Sequence, residues 1–81
     1  MEIQRTEAFE RDYRKLPHDV KRRFDKTIVF LVTNPKHPSL RAKIVDPTHR
    51  VWQARVTGAY RLYFTVDAGV ITLHRVFDPH E

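Results

Sequence analysis

The sequence predicts an α+β domain in which an N-terminal helical hairpin packs on one face of a small, twisted antiparallel β-sheet. Three observations predict it. Apolar residues recur at three- and four-residue steps from Phe9 to Leu31, and they alternate with polar residues from about residue 50 to residue 77. The two glycines, Gly58 and Gly69, stand in short polar turns that divide this second half. A helix pair with one apolar stripe and a sheet with one apolar face satisfy each other, so this order favours two packed layers.

Residues 2 to 5 form a short first strand. Thr6 then caps a helix whose apolar positions Phe9, Tyr13 and Leu16 fall at helical spacing, and Pro17 breaks the chain. Proline suits the first turn of a second helix, which runs through Val20, Phe24, Ile28 and Leu31 until "TNP" at residues 33 to 35 stops it. The run "IVFLV" would alone suit a buried strand, but the unbroken spacing upstream of it selects helix. The polar face of the pair, with Arg11, Arg14, Lys15, Lys21, Arg22 and Lys26, reads as solvated surface.

Residues 35 to 49, "PKHPSLRAKIVDPTH", hold three prolines and read as a connecting loop with a short strand around Ala42 to Val45. Three strands follow, roughly 50 to 57, 60 to 67 and 70 to 77. The turn "DAG" suits a three-residue hairpin with its glycine in the left-handed region, and "TGA" at 57 to 59 reads the same way.

Side chains alternate across a strand, so parity predicts the face each residue occupies. Trp52, Ala54 and Val56, then Tyr60, Leu62, Phe64 and Val66, then Ile71 and Leu73 form the apolar set that the helices cover. Gln53 and Arg55, Arg61, Tyr63 and Thr65, and His74 and Val76 are left on the open face. Two arginines, a tyrosine and a histidine on one uncovered surface are suited to converge on an anion.

At 81 residues the chain is one domain, 1–81, near the size at which burial removes about 60% of the unfolded surface from water. Its 41% hydrophobic content, with five Phe, three Tyr and one Trp, suffices for a core and excludes intrinsic disorder. The absence of Cys excludes disulfides and thiolate chemistry. The charged amino terminus "MEIQRTEAFE" is unlike a signal peptide, and no apolar run approaches the roughly 18 residues of a membrane span, so a cytoplasmic protein with no membrane partner is expected. Fifteen Lys and Arg against ten Asp and Glu give a net charge of +5, which favours a polyanionic partner. His74, Asp78 and His80 lack a third ligand at persuasive spacing, so no metal and no cofactor is expected. Ser39, the only serine, stands in "HPSL" with no partner for nucleophilic catalysis, and no glycine-rich phosphate loop occurs. His80 suits proton transfer, since imidazole exchanges protons near neutral pH.

The segments "FERDYRKLP", "FLVTNPKHPSLRAK", "WQARVTGAYRLYF" and the ending "VFDPH" resemble RelE/ParE-superfamily toxins of bacterial type II toxin-antitoxin modules over essentially the whole chain. The ending V-x-D-x-H is most similar to the HigB branch. The resemblance implies the RelE-like fold and a cognate antitoxin as partner. In RNase members of the superfamily the open sheet face enters the ribosomal A site and cuts mRNA without a metal, by attack of a ribose 2′-OH on the adjacent phosphate. By position, Arg61 matches the arginine of the family's Y-R strand, Arg55 that of W-x-x-R, Lys43 a basic position before the sheet, and His80 the terminal acid or base. Those four form the implied catalytic set, with Tyr63, His74 and Gln53 as RNA-binding residues beside it. This chain has Trp52 and Ala54 where RelE carries lysines and Pro79 where the HigB-like ending has tyrosine, and it stops at Glu81 without the terminal helix of many relatives. The implied activity is ribosome-dependent mRNA cleavage. The alternatives are ParE-like inhibition of DNA gyrase without cleavage, or a degenerate relative that only binds its antitoxin or nucleic acid.

Overall fold

The computed structural model describes all 81 residues, Met1–Glu81. In chain order the elements are β1 (Glu2–Arg5), α1 (Glu7–Arg14), α2 (His18–Thr33), a 3₁₀ turn (Pro38–Leu40), β2 (Lys43–Asp46), β3 (Val51–Arg55), β4 (Arg61–Asp67) and β5 (Val70–Phe77). The strands form one sheet in the order β1-β5-β4-β3-β2.

Thr6 starts α1 as its spacing requires. Its Oγ1 accepts the Phe9 N–H at 3.1 Å and donates to the His74 carbonyl at 3.1 Å, so one hydroxyl both caps the helix and ties it to β5. α2 begins at Pro17, whose carbonyl accepts the N–H groups of Val20 and Lys21. Val20, Phe24, Thr27 and Leu31 form its buried stripe, and the Thr27 hydroxyl is satisfied by the Arg23 carbonyl at 3.1 Å. "IVFLV" is helical, as the upstream spacing predicts.

Thirteen buried apolar residues form one cluster between the helices and the sheet. Phe24 stands 5.5 Å from Phe9 and 5.4 Å from Tyr13, ring centroid to centroid, which locks α2 to α1. From the sheet come Ala54, Val56, Leu62, Phe64, Ile71 and Leu73, which parity places inward; Trp52 and Tyr60 pack partly buried against them, whereas Val66, also placed inward by parity, is exposed near the end of β4.

The sheet is mixed. Its four-stranded body is antiparallel, and β1 adds a parallel edge to β5 with Glu2 beside Val70 and Arg5 beside Leu73. The long crossover through both helices lets the first strand run in the same direction as the last. Where β1 ends, α1 continues the coverage of β5: the Asp12 carboxylate accepts the Val76 N–H at 3.1 Å, a donor that a longer β1 would have used.

Three local readings change. Residues 35 to 49 are more ordered than a connecting loop, because Leu40 is fully buried in the 3₁₀ turn; the short strand expected around Ala42 to Val45 is β2, which carries Lys43. Val76 faces the core and not the open side: the β4–β5 register shifts between Tyr63 and Phe64, which pair with Arg75 and Leu73, leaving His74 as the extra residue of a bulge. The turns also differ from each other. Ala68 and Gly69, at φ 49° and 79°, make a two-residue turn of the type that matches strand twist. Gly58 is not left-handed; that turn is held by the Thr57 Oγ1, which accepts the N–H groups of Ala59 and Tyr60.

Candidate functional site

The register of the open face decides what can meet there. Arg55 is paired directly with Arg61, and Arg61 with Phe77, forming one rung across β3, β4 and β5. Two residues along the strands, Lys43, Gln53, Tyr63 and Arg75 form the next rung. Residues two apart on a strand share a face, so the rungs are neighbours roughly 7 Å apart.

A cavity of about 340 Å³ spans both rungs at the β2–β4 side, lined by Arg41, Lys43, Gln53, Arg55 and Arg61. Four of its five lining residues are cations and none is a carboxylate. The ion pairs of the protein join Arg5 to Glu10, Asp46 to His49 and Asp12 to Arg75, so none of these four cations is neutralised. Sequence parity thus brings together Arg55, Arg61 and Gln53, and the β2 edge adds Lys43. Arg41 is a member that sequence reading missed; only the left-handed backbone of Arg41, φ 45°, at the end of the 3₁₀ turn delivers it.

The two paired arginines are held, not free. Arg61 donates from Nη1 to the Thr57 carbonyl at 2.7 Å and the Tyr60 carbonyl at 3.1 Å, and from Nη2 to the Gly58 carbonyl at 3.0 Å. Arg55 donates from Nε to the Thr57 carbonyl at 3.3 Å. Of the five N–H groups of a guanidinium, Arg61 therefore keeps two and Arg55 keeps four unengaged by protein. Such anchoring fixes the charge in place while leaving donors for a ligand.

Beside this cavity lies a second of about 520 Å³, lined by Tyr63, Thr65, His74, Phe77 and neighbours. The rings of Tyr63 and Phe77 are 5.5 Å apart and inclined by 33°, a platform for a flat ligand. The His74 Nε2 lies 2.9 Å from the Thr65 Oγ1, which fixes the imidazole. Arg75 lies over the Phe77 ring at 4.7 Å, and its charge is spent on Asp12, with Nε to Oδ2 at 2.6 Å. Burial opposes ionisation of Asp12, yet the Arg75 guanidinium and the Val76 N–H hold its carboxyl below the usual carboxylate range. The same bond raises the pKa of Arg75.

His80 is not brought to either cavity. It lies exposed in the tail, its N–H bonded to the Asp78 Oδ1 at 2.9 Å. The tail leaves the sheet after Phe77, the register partner of Arg61, so His80 stands three residues along the chain from the cation rung. Tyr60, the residue before Arg61, packs against the core on the other face; desolvation, with Glu81, Asp78 and Asp19 nearby, raises its pKa and keeps the phenol protonated. Arg75 and Phe77 escaped the sequence reading because the bulge at His74 reverses parity beyond it.

No helix of the structure is long and apolar enough to cross a membrane. No curated protein matches the sequence significantly. Solved toxins share the fold. YafQ from E. coli strain BL21(DE3) superposes with a TM-score of 0.81 at 13% identity, over 98% of this chain and 93% of that one. The toxin of the archaeal RelE-RelB complex from Pyrococcus horikoshii OT3 gives 0.79 at 20% identity, over 95% and 92% of the two chains. The YoeB/ParE toxin from Agrobacterium tumefaciens gives 0.81 at 13% identity, over 96% and 98%. Residues 3–79 match the family model described as the ParE toxin of the type II toxin-antitoxin system parDE. With nearly the whole chain inside that match, the protein belongs to the ParE toxin family, within the RelE/ParE superfamily of type II toxin-antitoxin toxins.

Proposed function

We propose that this toxin is a ribosome-dependent mRNA endonuclease that blocks translation. The observation that carries the reading is the cavity in which Arg41, Lys43, Arg55 and Arg61 converge with no carboxylate among them. A phosphate placed there meets fixed guanidinium donors, which stabilise the extra negative charge of a pentacoordinate phosphorane more than that of the ground state. The 2′-OH attacks the adjacent phosphorus and loses its proton to solvent water, the P–O5′ bond breaks, and the leaving oxygen takes up a proton. The products are a 2′,3′-cyclic phosphate and a 5′-hydroxyl.

His80 supplies the proton to the 5′-oxygen once bound RNA draws the tail over the rung. Three extended residues reach roughly 10 Å, and the tail is tied only by local bonds from His80 and Glu81 back to Asp78. Gln53 donates to phosphate or ribose, Tyr63 with Phe77 stacks a base, and His74 meets the edge of that base. A cognate antitoxin is the protein partner, as in the RelE-RelB and DinJ-YafQ complexes whose toxins share this fold. The surface available to it is an apolar groove of about 600 Å³ on the helix side, where Trp52, Phe64 and Ile71 meet exposed Met1 and Val66 with Lys36 and Arg41 at the rim. The test is translation of a reporter mRNA with purified toxin, followed by primer extension: new ends inside the reading frame support the reading, and intact mRNA on occupied ribosomes refutes it.

Two observations favour a second reading, gyrase inhibition without cleavage: the family match is to ParE, and no His, Asp or Glu lines the cation cavity. Loss of supercoiling by gyrase with mRNA intact would select it.

A further inference from the structure

The cation cavity does not end at the sheet edge. A second cleft, of about 640 Å³, opens between α2, the 3₁₀ turn and the end of β3, and Arg41 and Arg55 line both. On its far wall stand Arg23 and Lys26 of α2, so the cleft holds four cations and no Asp or Glu. Asp19, four residues before Arg23 on the helix, is placed for the usual helical ion pair but forms none, and no ion pair of the protein involves Arg23 or Lys26. A merely solvated helix face intersperses its charges; here six like charges, Arg61, Lys43, Arg55, Arg41, Lys26 and Arg23, line two continuous cavities. The hinge between the two is Arg41, whose left-handed backbone is a conformation of roughly 1 kcal/mol or more for a residue with a Cβ. That strain sits at a residue that lines both cavities.

We infer that this cleft is a second phosphate-binding site, which holds the single-stranded ribose-phosphate chain flanking the nucleotide gripped by Arg55 and Arg61. The inference rests on the RNA-binding reading of the open face and extends it around the sheet edge to α2. Apart from Phe30 no aromatic ring lines the cleft, and that ring is stacked on His37 at 3.9 Å, so contact there is to backbone and carries no sequence preference.

The test uses fluorescent 2′-O-methyl oligouridylates of three and twelve residues, whose blocked 2′ positions prevent cleavage, in anisotropy titrations across a salt series. The wild-type protein binds the twelve-residue strand about tenfold or more tighter than the three-residue one. The double variant Arg23→Gln/Lys26→Gln loses most of that length advantage while its affinity for the short strand stays the same. Its salt dependence on the long strand falls by about 1.4 in log–log slope, the release of counterions from two phosphates at about 0.7 each. Removing the same charge from α1, in Arg11→Gln/Arg14→Gln, leaves the length advantage in place. An unchanged long-strand affinity in the Arg23/Lys26 variant overturns the inference, and so does an equal loss on both strands. Unchanged RNA affinity with weakened antitoxin binding also overturns it, by assigning the cleft to protein. A wild-type protein that binds neither strand instead defeats the RNA reading of the open face itself.

Discussion

Arg55 and Arg61 face each other directly across β3 and β4, on the side of the sheet that the helices leave open, with no carboxylate within ion-pair distance of either. Like charges directly opposite each other destabilise an antiparallel pair. Here the cost is offset locally, because carbonyls of the 57–60 turn accept both guanidinium groups. The same bonds that let the sheet tolerate the pair aim its remaining donors at one cavity. Arg61 is therefore a folding residue of the hairpin and, in the function proposed, a catalytic one.

These two roles separate by substitution. Arg61→Ala removes three charge-assisted bonds on a half-exposed turn and should cost about 1–2 kcal/mol in chemical denaturation. Arg61→Lys keeps the charge but not the planar fork, so it should recover part of the phosphate affinity while the turn remains weakened. Cleavage should fall by about a hundredfold or more in the alanine variant, the scale seen when a donor to a developing oxyanion is removed. Full activity in Arg61→Ala would remove it from the mechanism.

Asp12 joins two parts of the chain 63 residues apart and substitutes for a missing strand at the edge of β5. Asp12→Asn should destabilise the fold by about 2 kcal/mol at neutral pH, as it loses charge-assisted bonds to Arg75 and the Val76 N–H. Because the folded-state pKa lies below the unfolded value near 3.8, this stabilisation is complete above that value and is lost as pH falls through the lower folded-state pKa. Denaturant midpoints of wild type and variant should therefore differ at pH 7 and converge in strong acid. A constant difference would assign the effect to packing.

The two glycines should respond unequally to alanine. Gly69, at φ 79°, needs the left-handed region, and Gly69→Ala should lower stability by about 1 kcal/mol although its Cβ would meet nothing within 4 Å. A Cβ at Gly58 would stand 3.8 Å from the Arg55 guanidinium, an ordinary contact with no positive φ, so Gly58→Ala should stay within about 0.5 kcal/mol of wild type. Thermal unfolding of both variants checks the contrast.

What the sequence revealed and what it hid follow the range of the physics involved. Phe9, Tyr13, Leu16, Val20, Phe24 and Leu31 declare two helices because periodic burial is written locally. Arg55, Arg61 and Tyr63 could be placed on the open face from parity alone, since no bulge intervenes between Trp52 and Phe64. Beyond Leu73 parity fails, because nothing in "LHRVF" marks His74 as an inserted residue, and so Val76 is buried while Phe77 reaches the open face. The same bulge hid Arg75, whereas Arg41 was hidden for a different reason: its placement depends on one backbone conformation. His80 matched by motif alone, and the tail leaves it outside both open-face cavities.

The rung of Arg55 and Arg61 as an RNA-cutting centre is tested most directly by mapping reporter mRNA ends during translation with wild-type toxin and with Arg55→Ala/Arg61→Ala, both confirmed folded by circular dichroism. Discrete cuts with the wild-type protein that vanish with the double variant are the expected result. Cuts that persist in the double variant, or intact mRNA with the wild type while gyrase supercoiling stops, would contradict it.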